Sequence, residues 1–338
     1  MDLECCLLKA YIKNIAYYLP DNVEENPLGR LRKKTGIERR HICDKNEIAS
    51  DLAIKAAEKI FAGGLARDKI EMLLLCTQSP DYFLPTTACL LQDKLGLSKT
   101  CGALDFNLGC SGYIYGLSLA KGLIESGQVR NVLLLTAETY SKYINKQDHS
   151  VKPLFGDGAT ATFIEGVDSD IAGIDGVVFG TDGSGYTSLI VPVGGMAKPY
   201  SMSSCIEHKD EYGNIRTEFN IHMNGSSISE FALDVVPDTV NKILEKTGKC
   251  REDIGYFIFH QANKFILEYL QQKCNLMNYP YWNDVSEYGN TVSNSIPIAI
   301  CDMLNKGRPA KSWIISVGFG VGLSWGGCAI DVRYTNVW

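Results

Sequence analysis

The chain repeats itself. Arg67-Asp68-Lys69-Ile70, followed by the apolar run Met72 to Leu75, is matched by Arg251-Glu252-Asp253-Ile254, followed by Tyr256 to Phe259. An amphipathic pattern precedes each stretch: Leu52, Ala53, Ala56, Ala57 and Ile60 in the first, Leu233, Val236, Val240, Ile243 and Leu244 in the second. That spacing puts the apolar residues on one face of a helix, and the short apolar runs read as strands buried on both faces. Further on, Glu125-Ser126-Gly127 before Val132 to Leu135 is matched by Asn305-Lys306-Gly307 before Trp313 to Val317. In this register Cys76 lies opposite His260, and Cys110 and Asn290 each stand seventeen residues before a matched glycine. One faint match is easily produced by chance, whereas two with consistent spacing are not. Helices alternating with strands twice over imply two similar α/β halves, residues 1–170 and 171–338, each with a mostly parallel sheet covered by helices. Duplicated folds of this kind place their sites at the junction between halves.

Composition limits the function classes. A chain of 338 residues, 45% hydrophobic and 21% charged, supports an enzyme-sized core. No apolar run approaches the roughly 18 residues of a membrane helix, so no membrane insertion is expected. The start, Met1 to Ala10, carries Asp2 and Glu4 before a short apolar patch and lacks the pattern of a leader. The 12 cysteines are scattered, with no C-x-x-C pair and no cluster with the five histidines. That usage points to a reducing cytoplasm and to no metal site. A net charge of −6 argues against nucleic acid as a partner. Locally the balance reverses, since Arg30, Arg32, Lys33, Lys34, Arg39 and Arg40 fall within eleven residues. A solvated face and a docking surface for an acidic partner are both compatible with that cluster.

One cysteine differs from the others. Ala103 to Phe106 reads as a strand, and Tyr113, Leu117, Ala120, Leu123 and Ile124 recur at helical spacing, so Gly109-Cys110-Ser111-Gly112 forms a strand-to-helix elbow. At a helix N-terminus the macrodipole and unpaired N–H groups favour a thiolate, which predicts a lowered thiol pKa and a nucleophile at Cys110. The elbow alone leaves open a second reading, a small buried hydrophobe. His260 directly after an apolar strand, and Asn290 at a second Gly-Asn elbow, are by themselves no more than a structural histidine and a turn. Their placement relative to Cys110 gives them interest.

Taken together, Asn107-Leu108-Gly109-Cys110-Ser111-Gly112, Phe155-Gly156-Asp157-Gly158-Ala159, His222-Met223-Asn224-Gly225, His260-Gln261-Ala262-Asn263, Gly289-Asn290-Thr291 and Gly318 to Gly326 resemble, in order and spacing, the beta-ketoacyl-acyl-carrier-protein (ACP) synthase III family. The resemblance implies a five-layered αβαβα thiolase fold, normally a homodimer, acting in the cytoplasm without metal, nicotinamide or flavin. It implies that Cys110 accepts an acyl group from a CoA or ACP thioester while the backbone N–H groups of Cys110 and Val321 form the oxyanion hole. Malonyl-ACP then loses carbon dioxide, with His260 and Asn290 as hydrogen-bond donors to the enolate, and the carbanion attacks acyl-Cys110. Phe155, Asn224, Asn263 and Leu84 are the implied substrate-binding residues, and Arg30, Arg32, Lys33 and Lys264 the implied contacts for a carrier protein or CoA.

Three departures bear on substrate. Arg30 stands where the family has an adenine-stacking tryptophan, which weakens the case for CoA and favours ACP as the donor. Lys264-Phe265 stands where an arginine follows the His-Gln-Ala-Asn motif, and Leu84 replaces a phenylalanine before Pro85, which would lengthen the acyl pocket. Arg30 and Leu84 tilt the pathway from fatty-acid initiation toward a specialised product such as an N-acylated surface sugar. Pro192 to Asn220 reads as a long surface excursion that either covers the acyl site or lies clear of it. Gly180 to Gly185 is assigned to turns, because no Lys-Ser/Thr follows as in a phosphate loop. The rivals are an acyltransferase to an oxygen or nitrogen acceptor, which would have no enolate for Asn290 to stabilise, and a non-catalytic partner of a condensing enzyme, which would commonly have lost one of the three residues.

Overall fold

The computed structural model describes residues 8–338; Cys5, Cys6 and most of the segment read above as lacking a leader lie outside the described residues. Ten strands build the two main sheets. They are β1 (Leu8–Tyr18), β2 (Met72–Cys76), β3 (Gly102–Phe106), β4 (Asn131–Glu138), β5 (Gly158–Asp168), β6 (Ile174–Thr181), β7 (Ile254–Phe259), β8 (Trp313–Gly320), β9 (Ser324–Asp331) and β10 (Asn336–Val337). The helices are α1 (Arg30–Thr35), α2 (Ala49–Ala62), α3 (Thr87–Lys94), α4 (Gly112–Glu125), α5 (Gly225–Thr247), α6 (Lys264–Lys273), α7 (Val285–Tyr288) and α8 (Ser295–Lys306).

The first sheet runs β10-β1-β5-β4-β2-β3 and the second β7-β8-β9-β6. The duplication is explicit in the pairing. β2 lies parallel to β4, β4 antiparallel to β5, and β5 antiparallel to β1; β7, β8, β9 and β6 repeat those relations in that order. The counterpart of β3 is reduced to a single parallel bridge between Phe257 and Tyr281. The sheets are therefore mixed rather than mostly parallel, because the last two strands of each repeat return as hairpin partners instead of through helical crossovers. β10, from the end of the chain, joins the first sheet beside β1.

Side-chain alternation explains the layering. Leu73, Leu75, Leu133 and Leu135 face α2 and α3, while Leu74, Val132 and Leu134 face α4 and α8. In the second sheet Phe257, Phe259, Ile315 and Val317 face α5 and α6, while Ile258 and Ile314 face the same central pair of helices. Both faces of both sheets are thus covered, giving the order helix, sheet, helix, sheet, helix. Each fully buried leucine or isoleucine contributes roughly 1.5–3 kcal/mol of transfer free energy, which is why uninterrupted apolar runs are stable in this setting. No helix among the described residues is long and apolar enough to cross a membrane.

Candidate active site

The site forms where the central helices meet the C-terminal ends of parallel strands. Cys110 lies two residues before α4, immediately ahead of its N-cap Ser111, and is buried. The end of β8 reaches it from the second half. A Cβ on Gly320 would lie 3.0 Å from Cys110 Sγ, and one on Gly318 would lie 2.5 Å from the Cys110 carbonyl oxygen. Side chains at these two positions would separate the halves, so the glycines are needed for the close approach. His260 follows β7 directly and donates its N–H to the carbonyl of Val317 (2.9 Å). Its ring meets the edge of Phe319 at a centroid distance of 5.4 Å, and its Nδ1 lies 2.7 Å from Ser295 Oγ. Asn290 is pinned through its backbone: its N–H donates to Leu154 O (2.8 Å), and its carbonyl accepts from Gly156 N–H (2.9 Å).

Asn290 Oδ1 accepts from Val292 N–H at 2.9 Å, which orients the amide and leaves its NH2 for another partner. Val292 itself holds φ = 56°, a left-handed conformation that costs a β-branched residue on the order of 1–3 kcal/mol. Val292 packs in one apolar cluster with Cys110, Tyr140, Val151, Phe155, Leu189 and Ile221. The strain is thus held at the junction of the Asn290 loop and the nucleophile elbow.

Electrostatics depart from one sequence expectation. Burial, and next the charge of Glu138, push the Cys110 thiol well above its ordinary value, while the backbone N–H groups of Cys110 and Val321 pull the other way. The end of α4 therefore does not yield a lowered thiol pKa, because desolvation of the charged form outweighs it. Burial depresses the His260 imidazole to about 3, opposed in part by its hydrogen bond with the Val292 backbone. At neutral pH the ring is uncharged.

The remaining residues read from the sequence separate into three groups. Phe155 is in the apolar cluster with Cys110. Asn224 and Asn263 use their side-chain oxygens as N-caps, accepting from Ser227 N–H (3.2 Å) and Ile266 N–H (3.0 Å) and organising the starts of α5 and α6. Leu84 is 86% exposed and lies outside the cluster around Cys110, so within one chain it does not close an acyl pocket. The basic cluster is likewise divided. Arg40 is buried against Glu24, Arg32 pairs with Glu38 at 2.7 Å and Arg39 with Glu287 at 3.5 Å, leaving Arg30, Lys33 and Lys34 exposed. A cavity of about 990 Å³ between α1 and α6 is lined in part by Arg32, Lys33 and Lys264. The excursion from Pro192 to Asn220 folds as short turns and a small hairpin, with Arg216 paired to Asp148; residues at its two borders, Leu189 and Ile221, pack beside Cys110.

Sequence reasoning missed Ser295, Gln261 and Glu138. Gln261 bridges Phe259 O (2.7 Å) and Asp284 N–H (3.1 Å), fixing the turn that carries His260. Ser295 reaches His260 from 35 residues along the same half and Glu138 reaches Ser293 across the halves, so no local pattern marks either.

A helix-capped cysteine, a neutral buried histidine and an oriented amide at the junction of two duplicated halves define a thiolase-fold condensing site. Family models agree: 3-oxoacyl-ACP synthase III matches residues 104–183, and its C-terminal model matches residues 244–332. A beta-ketoacyl-ACP synthase III from Clostridium perfringens is 40% identical over 326 residues, covering 93% of this chain and 97% of the relative. A 3-oxoacyl-ACP synthase III crystal structure is 45% identical with a TM-score of 0.93, covering 96% of this chain and 99% of that one. A 3-oxoacyl-ACP synthase from Burkholderia xenovorans LB400 is 36% identical with a TM-score of 0.87, covering 97% and 95%. The chain belongs to the beta-ketoacyl-ACP synthase III family, condensing enzymes of the acyltransferase class with the thiolase fold.

Proposed function

We propose that the chain joins an acyl thioester to malonyl-ACP by decarboxylative Claisen condensation in fatty-acid biosynthesis, with Cys110 as the acylated nucleophile. The packing of Gly318 and Gly320 on Cys110, next to the Val317 that pairs with His260 and the Val292 that holds the Asn290 amide, carries this reading. Cys110 sulfur attacks the thioester carbonyl; the carrier's carbon–sulfur bond breaks, and the thiol proton leaves with the carrier thiol. The oxyanion of that step is met by the backbone N–H groups of Cys110 and Val321, donors of a type that contribute about 3–4 kcal/mol each. Malonyl-ACP then loses carbon dioxide, and the electron pair of the broken bond moves into an enolate. That species needs donors rather than a base. Ser295 Oγ accepts from Gln261 N–H (3.4 Å) and lies 2.7 Å from His260 Nδ1, which holds the ring in place, and in this reading the neutral imidazole offers Nε2–H to the enolate oxygen alongside the Asn290 amide. The enolate carbon attacks acyl-Cys110, and the sulfur leaves to give the 3-ketoacyl thioester. Each step of this reading balances without a metal or redox cofactor.

The chain divides for this purpose at about residue 170, the first half bringing the nucleophile and the second the histidine and asparagine. A second copy of the chain completes the acyl site. β3 is a sheet edge with unpaired backbone, and the neighbouring Tyr82, Phe83 and Leu84 are exposed. An apolar edge of this kind pairs with its own symmetry mate in a homodimer, and Leu84 then reaches the partner's pocket. The cleft carrying Arg32, Lys33 and Lys264, with Arg30 beside it, receives an acidic carrier protein or CoA. Intact-mass analysis after incubation with a panel of acyl-CoAs and acyl-ACPs tests the reading and identifies the acyl group. Acyl transfer to an oxygen or nitrogen acceptor without malonyl consumption would move the chain to a simple acyltransferase.

A further inference from the structure

Arg40 belongs to a two-stranded ribbon in which Arg39–His41 pairs with Val23–Glu25, yet its side chain is only 3% exposed. A guanidinium is effectively always charged, so burying it is costly unless its N–H groups find acceptors. One carboxylate oxygen, Glu24 Oε2, lies 3.1 Å from Nη2, and that oxygen is shared with Lys152 at 3.2 Å. The other bonds go inward. Nη1 donates to the carbonyls of Lys152 (2.7 Å) and Phe155 (3.3 Å), and Nε donates to Asn26 Oδ1 (3.3 Å). Phe155 packs in the cluster with Cys110 and forms an isolated parallel bridge with Asn290. The aliphatic stem of Arg40 lies against both sides of that bridge. A Cβ on Gly289 would lie 2.9 Å from Arg40 Cγ, and one on Gly156 would lie 3.6 Å from Arg40 Cβ. The backbone around Arg40 is tied in the same two directions: Asp157 N–H donates to His41 O (2.8 Å), and Glu38 N–H donates to Ser286 O on α7 (2.9 Å).

We propose that Arg40 is a positioning residue for the malonyl half of the reaction: its guanidinium fork and stem fix the bridge between Phe155 and Asn290, and so set where the Asn290 amide stands. The proposal rests on the reading of Asn290 as a donor to the enolate. Asn290 has two backbone anchors, Leu154 O for its N–H and Gly156 N–H for its carbonyl, and they flank the residue whose carbonyl Arg40 holds. Without the fork the Lys152 and Phe155 carbonyls lose a buried donor, and the anchors of Asn290 are free to shift with them. A reacting group misplaced by about 1 Å can lose on the order of 100-fold in the step it serves. Cys110 is held differently. Its elbow is backed by Gly318 and Gly320 of β8, while the bonds of Arg40 go to Glu24, Asn26, Lys152 and Phe155. Removing the fork therefore acts on decarboxylation far more than on acyl loading.

The test measures two steps in the full-length protein: acyl loading of Cys110 by intact mass, and carbon dioxide release from malonyl-ACP. Arg40→Ala is expected to slow carbon dioxide release by on the order of 100-fold while loading stays within about twofold of wild type. Arg40→Lys should fall between, since an ammonium keeps the charge without the planar fork. Arg40 also lines a cavity of about 620 Å³ whose lining includes the exposed Asp44 and Lys45, so a small cation can reach the space its side chain leaves. Added guanidinium is therefore expected to restore part of the carbon dioxide release of Arg40→Ala, and methylammonium is not. Equal rescue by the two cations overturns the fork, and equal loss in both steps overturns the role of Arg40. Asn290→Ala, run alongside, separates the two failures. Wild-type carbon dioxide release from Asn290→Ala overturns the reading of Asn290 and this proposal with it, whereas slow release from Asn290→Ala beside wild-type release from Arg40→Ala overturns the proposal alone. If Arg40→Ala does not fold, Arg40→Lys decides on the same two assays, and a wild-type ratio of the two rates overturns the proposal.

Discussion

The two halves follow the same path through their sheets and end their matched strands in different chemistry. Where β2 ends in Cys76, whose thiol donates to Leu108 O at 3.0 Å, β7 is followed by His260. Where the first half enters α4 two residues after Cys110, the second passes from Asn290 through a 3-10 turn, Val292–Asn294, before α8 begins at Ser295. The regular entry leaves the Cys110 backbone N–H at the thiol, where Val321 N–H joins it from the second half, and the distorted one fixes the Asn290 amide through Val292 N–H. Duplication supplied two equivalent openings at the strand ends, and under the proposed function local differences in helix entry divide the labour into one attacking group and two donors.

Removing the attacking group should have the largest effect. Cys110→Ala is expected to abolish acyl loading with the melting temperature nearly unchanged, as read by intact mass and calorimetry; an acyl adduct surviving on another cysteine would break the division of labour. Next comes the donor half. Asn290→Ala should slow malonyl-ACP decarboxylation by on the order of 100-fold while loading of Cys110 stays close to wild type. Equal loss in both steps would show that the Asn290 loop serves the nucleophile as much as the enolate.

The halves also differ in the sign of their pH response. His260 is depressed from its ordinary 6.5 to about 3, so between those values the unfolded chain binds a proton that the folded chain refuses, and stability is lost as pH falls. Glu138 is raised from 4.5 to about 8, so across that window the folded chain keeps a proton the unfolded chain has released, and stability is lost as pH rises. Between about pH 6.5 and 5, wild type should lose roughly 2 kcal/mol more than His260→Gln in urea unfolding, at about 1.4 kcal/mol per pKa unit. Parallel curves would show that His260 is protonated in the folded protein and unsuited to act as a neutral donor. The smallest effect lies at the surface. Lys33→Glu should slow ACP-dependent loading a few-fold at low salt and less at high salt, because exposed charges are screened within about 8 Å at physiological ionic strength. Rates from acyl-CoA should change less, and identical behaviour of the two donors would count Lys33 as solvated surface.

The basic run shows how far charge in a sequence can be read. Six cations within eleven residues suggested one surface, yet Arg40 is buried against Glu24 and two others are paired. Acidic partners distant in sequence decide which cations stay free, and spacing along the chain does not carry that information. Leu84 teaches the same lesson: its position before Pro85 is legible in the sequence, but its exposure is not.

The sequence by itself determined the repeat, the two elbows and the identities of Cys110, His260 and Asn290, because each depends on short-range spacing of apolar, glycine and polar residues. The tertiary structure alone decided the mixed strand directions, the strained Val292, the Ser295 contact that orients His260 and the raised thiol of Cys110. These properties arise from groups far apart in the chain, some in one half and some in both. Burial and charge act through space, so a helix end that would favour a thiolate in water is overruled once Glu138 and an apolar cluster surround it.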